Sequence, residues 1–318
     1  MLEWFLPMID PLDLAPFDGH WPATVKKLLP EIHPVDQTAC LIWFQLFPMV
    51  LHELSVSEAA NRTRLERYFQ LRGAYRLVDQ TDRSHQFLFS HRYWLQIREA
   101  MTRDSMAGSL EDTIRRIAAG IPAEFGLAIA AVGLMTVRQC GTAFLTAPYD
   151  PRQDKRSAGE VLQSRASNAA RGLLAKLTTI GRKPRVIIDE RDPEAWFPVT
   201  PGQHITTAAE LDKRPYHDTD ERCYHGMGPI PVDCRSGSCG TCWVGVLNGE
   251  NLAPPGDFER KRIDYFGYWN SGFHDLKAEK PLIRLACQTL VHGSCSLVIP
   301  PWNGVFGKVR RERFRLEP

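Results

Sequence analysis

Cys234-Arg235-Ser236-Gly237-Ser238-Cys239-Gly240-Thr241-Cys242 sets four residues between one thiol and a second and two residues between the second and a third. Three thiols so close must share one inorganic centre or be tied in a strained disulfide. A fourth candidate, Cys287 in Ile283-Arg284-Leu285-Ala286-Cys287-Gln288-Thr289, follows 45 positions later inside an apolar, strand-like run. Four thiolates complete a metal site. Zinc also takes four thiolates, but structural zinc usually uses two separated short-spaced pairs, and here Cys239 and Cys242 alone make such a pair. A disulfide framework belongs to secreted domains far smaller than this chain. Neither alternative suits the spacing well.

A [2Fe-2S] cluster asks for this arrangement. Each tetrahedral iron bonds two bridging sulfides and two protein thiolates, so three ligands can come from one tight loop and the fourth from a distant strand. Gly237 and Gly240 stand between the thiols, where a missing Cβ permits positive φ and lets backbone N–H groups press toward the sulfurs. Such donors stabilise the electron-rich reduced form.

From about residue 184 to 301 the chain resembles a plant-type [2Fe-2S] ferredoxin domain. The resemblance rests on the cysteine loop, on Gly202-Gln203-His204-Ile205-Thr206-Thr207-Ala208-Ala209 as the start of a short helix, and on Gly228-Pro229-Ile230-Pro231-Val232-Asp233 leading into the loop. It rests too on the strand-like Trp243-Val244-Gly245-Val246-Leu247 with its Asn248-Gly249 turn. Carried over position by position, it implies Cys234, Cys239, Cys242 and Cys287 as the iron ligands of a [2Fe-2S] cluster, and a β-grasp fold. Two departures stand out. The gap from third to fourth ligand is longer than in small soluble ferredoxins, and about a dozen extra residues around His217 to His225 precede the loop. Within that insertion His217, Cys223 and His225 have irregular spacing for a second metal.

At 318 residues the chain has room for two domains. A hydrophobic fraction of 43% with 24% charged residues describes a globular protein able to bury a sizeable core. The formal charge of +2 implies no general attraction to nucleic acid or to an acidic surface. The N-terminus lacks a secretory signal, and no run reaches the length of a spanning helix. A thiolate-cluster motif favours a reducing compartment.

Residues 1–34 carry six prolines among aromatics that have no reason to face water, and read as an extended arm lying on a surface. Residues 35–150 read as a mostly helical domain of no recognised family. Its expected elements are an apolar helix over 36–54 kinked near Pro48, a helix over 62–73, a hairpin pairing 74–77 with 87–89, and helices over 91–101, 109–119 and 122–145. Ser109 heads a capping box, and Gly120 is the stop. His33, His52, His85 and His91 lack the i, i+4 spacing of a metal pair, and no Cys-x-x-Cys-His accompanies them; structural or surface roles are favoured. Cys40, Cys140 and Cys295 sit in apolar runs as buried free thiols.

Residues 151–183 form a basic connector. Nine Lys or Arg face two acids between Arg152 and Arg185, and apolar residues recur every three or four positions behind a Ser157-x-x-Glu160 capping box, so one amphipathic helix with a basic outer face is expected. In the 184–301 domain, 185–189 and 196–199 should pair as a hairpin, followed by helices over 205–211 and 257–266 and a closing strand pair over 285–299. The aromatics from Tyr265 to Phe273 either cover the cluster or form a docking patch. A basic tail, 302–318, ends the chain.

The fold class expected is α+β: a mostly α-helical N-terminal domain plus a C-terminal β-grasp ferredoxin-like domain. The function expected is one-electron transfer, as a fixed subunit of a larger redox complex such as a hydrogenase, dehydrogenase, or photosynthetic or respiratory assembly. No catalytic constellation appears, so the chain reads as a non-catalytic subunit of an oxidoreductase complex with protein redox partners. Its expected place is the cytoplasm, with any membrane association made through partners. A rival reading is an iron-sulfur redox sensor whose cluster state controls partner binding by the helical domain.

Overall fold

The computed structural model describes residues 24, 27–46, 109–120, 127, 155–169, 183–218, 223–265 and 280–299. The expected elements over 62–73, 74–89 and 91–101 lie outside the described residues, as do all but residue 127 of that over 122–145, the kink near Pro48, the connector over 170–182, most of the arm, the aromatic run beyond Tyr265, and the basic tail. The chain divides into two compact units; the described residues up to 127 belong to the first and those from 155 onward to the second.

In the first unit a 3-10 turn, Leu29–Glu31, leads into helix α1, Pro34–Leu46. Pro34 explains why this helix starts two residues before the expected position: proline suits the first helical turn, where its missing N–H is no loss. His33 caps that turn, its Nδ1 accepting from the Val35 N–H at 3.2 Å. Leu28, Ile32, Val35, Ala39 and Ile42, spaced at helical intervals, are buried together with Ile114 and Ile117 of helix α2, Leu110–Ala119. The Ser109 hydroxyl accepts from the Asp112 N–H at 3.1 Å, as the capping pattern requires. Gly120 ends the helix in a right-handed conformation, φ −84°, so the stop does not depend on glycine's freedom at positive φ. Arg115 forks onto the Glu31 carboxylate at 2.7 and 2.9 Å, and Lys27 meets Glu111 at 2.6 Å. Such exposed pairs are screened by solvent and contribute little, so apolar burial holds these segments together and the charges set their register.

The second unit is built on a mixed five-stranded sheet. Its strands are β1 (Arg185–Ile187), β2 (Trp196–Pro198), β4 (Trp243–Asn248), β5 (Ile283–Leu285) and β7 (Cys295–Val298), in the order β2-β1-β7-β4-β5. The β1–β2 hairpin and the β4–β5 pair are antiparallel; β7 lies between them, parallel to β1 and antiparallel to β4. A two-stranded sheet joins β3 (Gln203–His204) to β6 (Leu290–Val291). Trp243, Val244, Gly245 and Val246 are all buried, which is the continuous burial of a central strand covered on both faces rather than the alternation of a half-exposed one. Helix α4 (Ile205–Ala209) packs on β2 and β3, and α5 (Asp257–Tyr265) packs on β5.

Helix α3, Ala158–Ala169, belongs to this second unit and packs on β7. Its capping box closes in both directions: the Ser157 N–H donates to Glu160 Oε2 at 2.7 Å and the Glu160 N–H to the Ser157 hydroxyl at 3.3 Å. Arg165 does not join a solvated basic face. It turns inward and binds the buried Glu190 carboxylate through two bonds, at 2.6 and 2.8 Å. Asn248 and Asn251 donate to the Arg165 and Asn168 carbonyls at 3.0 and 2.9 Å, satisfying acceptors near the helix end.

The insertion is anchored as well. Asp212 accepts from the Tyr216 hydroxyl at 2.7 Å and from Arg214, while Arg214 Nη1 donates to the Glu194 carbonyl of the β1–β2 hairpin at 2.8 Å. Burial pushes the Asp212 carboxyl up, but these donors outweigh it and hold the group below its ordinary range. No helix among the described residues is long and apolar enough to cross a membrane.

Candidate metal centre

The cysteine loop runs between α4 and β4, and glycine is needed to place it. Gly228, at φ 75°, brings the approaching chain against α4 so closely that a Cβ there would lie 2.1 Å from the Ala209 carbonyl oxygen. Within the loop, Arg235, Gly237 and Gly240 all have left-handed φ, 53°, 72° and 74°. Each such residue reverses the facing of the next peptide, so N–H groups gather on the side where the thiols lie. The Cys239 N–H donates to Cys234 Sγ at 3.3 Å and the Thr241 N–H to Cys239 Sγ at 3.4 Å. The Thr241 hydroxyl donates to Asp233 Oδ2 at 2.6 Å, tying the two ends of the loop.

Cys242 leads directly into β4, and Cys287 follows β5. Pairing of Trp243 with Leu285, extended by the Ala286 N–H donating to the Cys242 carbonyl at 3.0 Å, brings these thiols to one place from 45 positions apart. Both are buried, whereas Cys234 and Cys239 are partly exposed. The Gln288 side-chain amide donates to Cys287 Sγ at 3.5 Å and to the Arg235 carbonyl at 3.4 Å, bridging the two segments.

The thiols interact as two pairs. Burial pushes Cys234 up, but hydrogen bonds from Ser238, Cys239 and Ser236 bring it down to about 6; its partner Cys239 is raised, first by burial. The bond from the Cys242 thiol brings Cys287 down to about 7 against burial, helped by Gln288 and the Gly237 N–H, while Cys242 is pushed well up by that same bond and by burial. Two thiol pairs lined by N–H donors suit two irons that each take two thiolates. Among the described residues, no three His, Cys, Asp or Glu side chains are gathered around one point as a single ion would require.

Helix α5 braces both halves of this arrangement. Phe258 and Arg262, four residues apart on one helical face, reach the cysteine loop: a Cβ on Gly237 would lie 2.9 Å from the Phe258 ring, Arg262 Nε donates to the Gly237 carbonyl at 3.2 Å, and Arg262 Nη2 donates to the Ser238 carbonyl. Glu259 turns the other way. Its carboxylate takes Arg284 Nε and Nη2 at 2.9 Å each and the Leu285 N–H at 2.8 Å, just before Cys287. None of these brace residues was singled out from the sequence; the signal available was the four-residue spacing of Phe258 and Arg262 beside a glycine-rich loop.

In the insertion the His217 and His225 rings are 4.7 Å apart, but the buried Cys223 thiol is bonded to the Pro229 carbonyl at 3.4 Å, so the three do not form a site. His33 serves as a helix cap. His52, His85, His91 and Cys140 lie outside the described residues, and Cys295 is the buried free thiol expected.

Comparison with curated proteins and with solved structures finds no match. Residues 202–292 match the family model described as 2Fe-2S iron-sulfur cluster binding domain. The match spans the cysteine loop, β4, α5 and Cys287, and the mixed sheet around them is that of a ferredoxin-like β-grasp. The first unit lies outside the match. The second unit thus contains a ferredoxin-type domain that binds a [2Fe-2S] cluster, and one-electron transfer is its general chemistry.

Proposed function

We propose that Cys234 and Cys239 hold one iron and Cys242 and Cys287 the other, and that the chain relays single electrons between protein partners as a fixed, non-catalytic subunit of a larger redox complex. The observation that carries the ligand assignment is the convergence of two thiol pairs on a loop whose N–H groups face the sulfurs. A bound [2Fe-2S] cluster supplies a one-electron change between diferric and mixed-valence states, with no bond made or broken in a substrate. The residues set the conditions for it. Cys239 and Thr241 N–H groups stabilise charge on the thiolates, Cys242 and Cys287 lie where water is excluded, and α5 holds the two ligand segments together. All-cysteine ligation with these donors supports a low-to-moderate potential, whereas histidine ligation would raise it.

The fixed-subunit reading is supported by the chain's near-neutral charge and by the large unit outside the family match. A diffusible carrier needs only the small domain and a strongly charged docking face. Partners are then other protein subunits, in the cytoplasm or at its membrane face. The test is anaerobic purification of the full chain with whatever accompanies it, followed by EPR before and after dithionite. A rhombic S = 1/2 signal on reduction, about two irons per chain, and further redox subunits are the expected result. Stoichiometric zinc with no S = 1/2 signal in the wild type, or an unchanged signal in Cys287→Ser, would refute it.

A further inference from the structure

We propose that Arg262 is a positioning residue that biases the centre toward its reduced state, acting through the Ser238–Cys239 peptide; this rests on the ligand assignment above. The Ser238 carbonyl and the Cys239 N–H are the two ends of one peptide unit. Arg262 Nη2 donates to the carbonyl end, and the N–H end donates to Cys234 Sγ at 3.3 Å. A cation bonded to a carbonyl draws density along the peptide, so the opposite N–H becomes a stronger donor. Arg262 Nε does the same to the Gly237 carbonyl at 3.2 Å, whose peptide carries the Ser238 N–H. Reduction adds one negative charge to the centre, and cluster potentials respond to net charge and to hydrogen bonds on the sulfurs. A guanidinium fixed on the loop and strengthening a sulfur donor stabilises the reduced form on both counts.

The position of Arg262 is not accidental. Phe258, one turn earlier on α5, sits against Gly237, and Glu259 locks the helix to Arg284 and Leu285, so the guanidinium is presented by a helix anchored on both sides. Lysine could keep the charge but not the two-carbonyl fork, and glutamine could keep one bond but not the charge. This separates electrostatics from loop geometry.

The experiment is an anaerobic, mediator-poised EPR titration of the full chain as wild type, Arg262→Gln and Arg262→Lys. At a fixed ambient potential Arg262→Gln should lower the reduced-to-oxidised ratio about tenfold, a midpoint fall of ~59 mV for one electron. Arg262→Lys should change it less than about threefold. An iron-loaded Arg262→Gln within about twofold of wild type overturns the proposal, as does a lysine variant that falls as far as the glutamine one. Should Arg262→Gln take up no iron, the lysine variant decides: a small change supports the charge, a tenfold fall refutes it. A wild type with no S = 1/2 signal would overturn the ligand assignment itself, a different result from a wild-type signal with unshifted variants.

Discussion

Separating Glu259 from Arg284 should loosen the fourth thiol more than any exposed substitution in the unit. The side chains are 2% and 3% exposed, joined by two bonds of 2.9 Å, and the carboxylate also accepts the Leu285 N–H at 2.8 Å. Arg284→Met leaves a buried carboxylate without its cation, and breaking a buried pair in this way costs about 3–5 kcal/mol. The residual Leu285 N–H donor places this variant near the lower end. Glu259→Leu leaves a buried guanidinium with the Ala253 carbonyl and also orphans the Leu285 N–H, an added cost of about 1–3 kcal/mol. The double variant removes both charges and leaves two groups without their side-chain partners, the Leu285 N–H and the Ala253 carbonyl, at about 1–3 kcal/mol each, so it should still lose less than the sum of the singles. Native-state hydrogen exchange over 243–248 and 283–291 reads these losses locally, within the second unit. Single variants costing under about 1 kcal/mol, or a double variant equal to the sum, would show that the pair is solvent-relaxed and the brace does not act as described.

Gly228→Ala should abolish cluster uptake, because the added methyl meets a backbone oxygen 2.1 Å away that no side-chain rotation can relieve; iron content per purified chain checks it. Gln288→Leu removes the amide that bonds Cys287 Sγ and should lower the midpoint potential, by less than Arg262→Gln does, in the same redox titration. Cys295, wholly buried in β7, is pushed up by burial to about 12 from 9.0. An unfolded chain loses that proton above pH 9 while the folded one keeps it, so the difference in stability between wild type and Cys295→Ala should shrink by about 1.4 kcal/mol per pH unit between pH 9 and 12, read by denaturant unfolding in parallel at each pH.

The cysteine loop, the two serine caps, the β1–β2 hairpin and β4 were legible because each is written in neighbouring residues: thiol spacing, capping pairs, short apolar strand runs beside turn residues. The brace was not. Glu259-Arg260-Lys261-Arg262 reads as a solvated charged face, yet Glu259 and Arg262 turn to opposite sides and bond groups on other segments, Arg284 at a separation of 25 residues. Arg165 misled in the same way, since its partner Glu190 is also 25 residues away. The short β3–β6 sheet escaped because two-residue strands carry no periodicity. Charge identity is local information, whereas charge pairing belongs to the fold.

The place of β7 has a consequence for how this protein is made. The last strand of the unit is also the middle one, flanked by β1, whose paired residue Val186 precedes Cys295 by 109 positions, and by β4. Until β7 has inserted, the β2–β1 hairpin and the long-range β4–β5 pair are separate and have unsatisfied inner edges. All four thiols are already in the chain by then, exposed on a half-built support. The sheet that supports the iron-sulfur centre is therefore whole only once β7 has inserted, and the interval before that is when the protein is most open to oxidation and to edge-to-edge aggregation.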